Sequence, residues 1–149
     1  MSDLRELYQE IILDHNKNPR NFGALPSCNR SAKGHNPLCG DMVTTYLFVE
    51  DGVVKDVRFD GKGCAISIAS ASIMTSLVVG KPEAAVRAMF DLFHAFVTNE
   101  DRDDLGAGLE ELTALGGVRD YPMRVKCATL PWHSVIAALD AGNSTVITE

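Results

Sequence analysis

Apolar residues recur along the chain with two different periods, one typical of helices and one typical of strands. Near the N-terminus they follow the i, i+3, i+4, i+7 spacing of a helix packed on one side, at Leu4, Leu7, Tyr8, Ile11 and Ile12. This spacing predicts a first helix that ends before Asn18-Pro19. Residues 18–34 are rich in Asn, Pro, Gly and Ser without periodicity, so we expect a loop there, with one edge strand near Cys28.

The next segment predicts a β-hairpin. Residues 42–49 are dense in β-branched and aromatic side chains, and residues 53–60 alternate between apolar and polar positions. Glu50-Asp51-Gly52 between them is typical of a tight turn. The polar alternate face of the second strand indicates an antiparallel sheet that is covered on one side only. The predicted fold class is therefore α+β, a small antiparallel sheet with helices packed on one face.

Helical patterns dominate the second half of the chain. Cys64 to Val79 and Glu83 to Phe96 each predict a helix, separated by Gly80-Lys81-Pro82. Residues 99–117 form an acidic, glycine-punctuated stretch, which we expect to be a surface excursion with a short helical piece. A last helix is predicted after Cys127, because Pro131 is tolerated only in a first helical turn.

Composition narrows the class of protein. The 149 residues are 46% hydrophobic, which fits one domain spanning residues 1–149. The formal charge of −6 and the absence of Lys and Arg clusters argue against nucleic acid as a partner. No stretch is long and apolar enough to predict a membrane span, and the charged opening is unlike a leader sequence. We therefore expect a cytoplasmic protein.

The four cysteines direct attention to metal binding or thiol chemistry, because nothing in the sequence predicts an oxidising compartment. Three of them, Cys39, Cys64 and Cys127, lie at predicted element junctions. Cys39 and Asp41 are two apart, so in an extended chain both side chains leave on the same side and can meet one ion. Cys64 precedes a helix, whose dipole favours a thiolate.

Each of these residues also has a structural interpretation. A single cysteine is as easily a buried core residue, and Asp41 is a common residue type in turns and caps. Cys28 has no partner motif, which favours a free, non-ligating thiol. His35 can touch the site from the same loop or make surface hydrogen bonds.

Three motifs in order resemble one family. They are Gly34-His35-Asn36-Pro37-Leu38-Cys39-Gly40-Asp41, Gly61-Lys62-Gly63-Cys64-Ala65-Ile66-Ser67 and Arg124-Val125-Lys126-Cys127-Ala128-Thr129-Leu130. The sequence resembles the SufU branch of the IscU/NifU N-terminal superfamily over nearly its whole length. This resemblance implies the same α+β fold with a metal site at one end. It also implies a zinc ion held by Cys39, Asp41, Cys64 and Cys127.

The resemblance further implies a zinc-dependent sulfurtransferase used in iron–sulfur cluster assembly. Its partner would be a PLP-dependent cysteine desulfurase of the SufS type, which supplies a persulfide and a histidine that displaces Cys39 from the zinc. Cys39 would accept the sulfur and relay it to a downstream scaffold or a small thiol. Arg124 and Lys126 would balance the anionic site or guide docking, and a solvated basic pair is the alternative.

Two features favour sulfur transfer over cluster building. Classical scaffolds of the superfamily have a histidine directly before the third cysteine, where this chain has Lys126. The stretch around 99–117 resembles the insertion that marks the SufU branch. The alternatives are a scaffold that carries a transient [2Fe–2S] cluster on the same four residues, and a zinc-stapled adaptor without chemistry.

Overall fold

The computed structural model describes residues 2–37, 40–98, 105, 108–141 and 143–147. Cys39, the predicted sulfur acceptor, lies outside the described residues, as does most of the stretch 99–107. The helices are α1 (Ser2–Lys17), α2 (Ala65–Val78), α3 (Glu83–Thr98), α4 (Glu110–Thr113), a 3₁₀ helix (Ala114–Asp120) and α5 (Pro122–Ala141). The strands are β1 (Arg30–Asn36), β2 (Asp41–Glu50), β3 (Val53–Lys62) and β4 (Asn143–Ile147).

The described strands form one sheet in the order β3-β2-β1-β4. The pairs β1–β2 and β2–β3 are antiparallel, which confirms the predicted sheet type. Asp51 and Gly52 both have positive φ, 55° and 76°, as a two-residue hairpin of type I′ requires. The strand predicted near Cys28 is β1, which begins at Arg30, but it is not an edge strand, because it lies between β2 and β4. β4 pairs in parallel with β1 and was not predicted.

One face of the sheet packs against the helices. Alternate residues of β2, from Asp41 to Val49, are buried, and those between them are half-buried. The main core lies between this face, α2, α3 and α5, where Trp132 contacts Phe93 with 5.5 Å between ring centroids. Helices on one face of a small sheet are the predicted α+β architecture.

Helix α5 begins earlier than the sequence predicts. Pro122 occupies its first position, so Cys127 and Pro131 both lie inside the helix. A proline at the first position costs nothing, because its missing N–H has no helical partner there. Pro131, by contrast, has no N–H to donate to the carbonyl of Cys127 four residues earlier. The helical turn that follows Cys127 therefore has one backbone hydrogen bond fewer than usual.

The described part of the acidic stretch is built into the core. Leu112, Leu115 and Val118 are buried, whereas the sequence predicts a surface excursion. Arg119 holds this segment against α3, donating from Nε to the carbonyl of Phe96 at 2.7 Å while its guanidinium lies over the Phe96 ring. The apolar residues between the charges, and not the charges, determine where the segment packs.

Buried hydroxyl groups tie the N-terminal segment to α2. His15 is buried with Nδ1 2.7 Å from Ser72 Oγ and Nε2 2.6 Å from Glu111 Oε2 in α4. The Arg20 backbone N–H donates to the same Ser72 oxygen. These bonds join α1, α2 and α4 around one imidazole, which gives His15 a structural role.

Candidate metal centre

Three of the predicted ligands converge at one end of the sheet. Asp41 is the first residue of β2, Cys64 directly precedes α2, and Cys127 lies on α5. One ligand atom from each lies within 4.8 Å of the other two. Asp41 and Cys127 are fully buried, and Cys64 is half-buried. The fold thus brings together residues that are separated by 23 and 63 positions in the sequence (64 − 41 and 127 − 64).

Cys64, another of the predicted ligands, contacts both oxygens of the Asp41 carboxylate. Its Oδ1 accepts a hydrogen bond from the Cys64 backbone N–H at 2.9 Å. Its Oδ2 lies 3.8 Å from Cys64 Sγ, with the thiol as donor. The sequence left Asp41 open between a cap-like role and a ligand role. In the structure, Oδ1 accepts a backbone hydrogen bond, as a capping residue does. Oδ2 faces the Cys64 sulfur, as a ligand to the same metal would.

Gly63 leaves room for that carboxylate. A Cβ atom added at Gly63 would lie 2.5 Å from Asp41 Oδ1 and 3.0 Å from Cγ, closer than real contacts allow. In the sequence, Gly63 stands out only as a member of the second motif. The signal that it belongs to the site is its place directly before Cys64.

The Cys127 sulfur has a polar neighbour from the sheet. Asn36, the last residue of β1, is fully buried and directs its side-chain Nδ2 at Cys127 Sγ, 4.0 Å away. Asn36 is also the ladder partner of Asp41. It stands within the first motif, but no spacing rule points to it, because its contact depends on how β1 meets α5.

The other predicted site residues are distributed around this group. His35 is half-buried and alternates with the buried Gly34 and Asn36, so it lies on the opposite face of β1. Arg124 is exposed and lines a groove of about 780 Å³ together with Ala65 and Ile66, which follow Cys64. Lys126 lines a different cavity, beside Arg119 and Val97. Arg124, and not Lys126, therefore shares a concave surface with Ala65 and Ile66, the residues directly after Cys64.

The donor set suits zinc. Two thiols and a carboxylate are ligands that Zn²⁺ takes in tetrahedral sites, with Zn–S and Zn–O bonds of about 2.0–2.3 Å that place ligand atoms roughly 3–4 Å apart. A mutual separation within 4.8 Å needs only small side-chain movements to reach this geometry. Cys28, Cys64 and Cys127 form no disulfide among the described cysteines. Three donors supply all but one of the ligands of a four-coordinate site.

Comparison with known proteins identifies the family. The sequence model of the NifU-like N terminal domain matches residues 7–128. The chain belongs to this family. All three described donors and the 39–41 segment fall inside the matched range.

Individual relatives carry two different descriptions. The zinc-dependent sulfurtransferase SufU of Bacillus subtilis is 37% identical over 95% of this chain and 97% of its own length. The iron–sulfur cluster assembly scaffold protein IscU of Streptococcus pyogenes is 34% identical over 93% of this chain and 86% of its own. Together with the family match, these relatives confirm the predicted family.

Solved structures agree with the fold. The N-terminal NifU-like protein from Brucella abortus matches with a TM-score of 0.81 at 30% identity, covering 89% of this chain and 91% of that one. An iron–sulfur cluster assembly scaffold protein for the SUF system from Fervidobacterium islandicum matches with a TM-score of 0.79 at 33% identity, covering 88% of this chain and 95% of that one.

Among the described residues, no helix is long and apolar enough to cross a membrane.

Proposed function

We propose that this protein is a zinc-dependent sulfurtransferase that accepts persulfide sulfur from a cysteine desulfurase and relays it for iron–sulfur cluster assembly. The observation that carries the proposal is the convergence of Asp41, Cys64 and Cys127 within 4.8 Å at the end of the sheet where Cys39 precedes Asp41 by two residues. The relative named as a zinc-dependent sulfurtransferase, matched along nearly its whole length, supports zinc as the metal.

In this proposal Asp41, Cys64 and Cys127 hold the metal, and Cys39 is the fourth ligand. When bound, zinc keeps the thiolates ionised and restrains their nucleophilicity. Three thiolates and a carboxylate would bring the formal charge of the site to about −2. That excess favours release of one anionic ligand when a partner supplies a neutral one.

The chemistry of Cys39 is a sulfur transfer without net oxidation. Its thiolate attacks the outer sulfur of the desulfurase persulfide, and a new S–S bond forms at Cys39. The S–S bond in the desulfurase breaks, and that cysteine leaves as a thiolate. Cys39 then carries the persulfide to a downstream scaffold or a small thiol.

The groove beside Cys64 supports approach by a partner. It is lined by apolar residues of α1, α2 and the 3₁₀ helix, with Arg124 at the same surface. Cys64, directly before Ala65 in the chain, is half-buried, so part of it is accessible to solvent. A desulfurase loop would reach the ligands along this surface without opening the core.

The alternative function is a scaffold that carries a transient [2Fe–2S] cluster on the same residues. It is favoured by the relatives described as IscU scaffolds, including the 37% identical protein of Thermotoga maritima. Lys126, in place of the histidine of classical scaffolds, favours the sulfurtransferase.

Metal analysis of protein purified without air separates the two functions. We expect about one colourless zinc per chain, because thiolate-rich four-coordinate sites favour zinc. Asp41→Ala should lose zinc to a chelator faster than the wild type does. Asp56→Ala is the matched control, because it also removes one carboxylate but from β3, and it should lose zinc at the wild-type rate. A brown protein with visible cluster absorption and substoichiometric zinc would replace this proposal by the scaffold.

A further inference from the structure

The amide of Asn36 is placed between the end of the sheet and α5. Its Nδ2 is the donor to Cys127 Sγ at 4.0 Å, and both residues are fully buried. Gly34, two residues earlier, allows this approach: a Cβ there would lie 2.9 Å from Leu130 Cδ1 on α5. The close contact between β1 and α5 therefore brings an amide to the sulfur.

An amide donor has a specific effect on a metal-bound sulfur. A thiolate carries its negative charge on a large, polarisable atom that accepts weak, long hydrogen bonds. Where several anionic ligands share one ion in a buried site, such a donor offsets excess charge and fixes the direction of the sulfur lone pairs. Groups that orient ligands in this way commonly change metal affinity by about 10–100-fold.

The two cysteines of the described donor set differ in this respect. Cys127 is fully buried and faces an N–H donor. Cys64 is half-buried, and its sulfur lies 3.8 Å from Asp41 Oδ2, which is an acceptor. Of these two sulfurs, that of Cys127 thus has the Asn36 amide as a neighbour, whereas the polar contacts of Cys64 are with Asp41.

We propose that Asn36 is a positioning residue whose side-chain amide hydrogen-bonds the metal-bound Cys127 thiolate and holds that sulfur in place for the metal. The inference rests on the metal-binding part of the proposed function. It does not depend on whether Cys39 accepts sulfur.

Two substitutions separate hydrogen bonding from packing. Asn36→Leu keeps nearly the same size and removes the donor. Asn36→Asp keeps the shape and puts a carboxylate where the amide donated. Asn29→Leu is the matched control, because Asn29 bonds the backbone of Val49 through both side-chain atoms at the other end of β1.

Zinc affinity is measured by competition with a chromophoric chelator on the full chain. We expect both Asn36 variants to bind zinc at least about tenfold more weakly than the wild type, and Asn29→Leu to bind as the wild type does. With Co²⁺ in the site, the sulfur-to-metal charge-transfer band should move to longer wavelength in Asn36→Leu, since a thiolate without its donor gives up an electron more easily. Unchanged affinity and an unchanged band would overturn the proposal.

A measurement on the wild-type protein covers the case in which the variants fail to fold. With ¹¹³Cd in the site, a hydrogen bond to a metal-bound sulfur transmits a scalar coupling between the metal and the amide proton. We expect this coupling at the Asn36 side-chain amide, with slowed exchange of that proton. Absence of the coupling, with a rapidly exchanging amide, would overturn the proposal.

Failure of this inference is distinguishable from failure of the proposed function. A wild-type protein that binds no zinc contradicts the proposed function itself. A wild-type protein that binds zinc, with Asn36 variants identical to it in affinity and Co²⁺ spectrum, contradicts only the role of Asn36.

Discussion

At the scale of single residues, the space around the Asp41 carboxylate depends on a glycine. Gly63 is not in the left-handed region, so its backbone would accept alanine without strain. The added methyl group would instead meet Asp41 Oδ1 at 2.5 Å. The carboxylate would have to rotate or shift, and its hydrogen bond from the Cys64 N–H would weaken.

We therefore expect Gly63→Ala to reduce zinc affinity by about tenfold or more, the effect typical of disturbing the groups that orient a metal ligand. Chelator competition measures this loss. Gly117→Ala is the matched control, because a Cβ at Gly117 meets nothing within 4 Å. Equal zinc affinity in the two variants would show that the Asp41 position does not matter to the metal.

The residue types alone did not single out the predicted ligands. The order of the three motifs, which resembles that of one family, did. Asp41 and Cys64 each had an ordinary structural interpretation, and nothing local says that they meet. The meeting depends on the β2–β3 hairpin, which returns the chain to the start of β2. Asn36 escaped prediction because its contact with Cys127 is made across 91 positions of sequence.

At the scale of elements, local sequence patterns were sufficient to predict a strand pair whose two strands are neighbours in the sequence. The hairpin of β2 and β3 follows from alternation and a two-residue turn, and its pairing is confirmed. β4 was missed because its parallel partner β1 lies more than a hundred residues earlier. The start of α5 was wrong because Pro131 was treated as a first-turn residue, while tertiary packing keeps it inside a helix with Pro122 at the first position.

Helices α3 and α5 meet at a pair of histidines with a consequence for stability. His94 and His133 have ring centroids 6.0 Å apart, with Phe90 against both. Burial, and secondly the charge of His94, hold the pKa of His133 below its usual value of 6.5. The folded state therefore binds a proton on His133 less readily than the unfolded chain does.

From this direction, the contribution of His133 to stability is present above about pH 6.5 and is lost as the pH falls through 6.5 toward the lower folded pKa. We expect His133→Gln to lose less stability than the wild type between pH 7.5 and 5.5. Urea unfolding at both pH values measures the difference, with zinc content fixed. An equal loss in both proteins would contradict the assignment of this pKa to the α3–α5 contact.

At the scale of the whole molecule, the described part of the acidic stretch contributes to the fold as well as to the surface. α4 reaches His15 through Glu111, and the 3₁₀ helix completes the groove beside Cys64. The same packing that stabilises α1 and α2 therefore shapes the surface from which a partner would approach. We propose that residues 1–149 form a single domain, into which the described part of the 99–117 insertion is built.

The most direct test is turnover of a PLP-dependent cysteine desulfurase, measured with the zinc-loaded wild type, with Cys39→Ser and without either protein. Zinc content is determined on the same samples. We predict that the wild type raises turnover several-fold, and that Cys39→Ser keeps most of its zinc through Asp41, Cys64 and Cys127 yet gives no increase. Equal stimulation by zinc-loaded Cys39→Ser would contradict the account, because sulfur would then move without the thiol assigned to accept it.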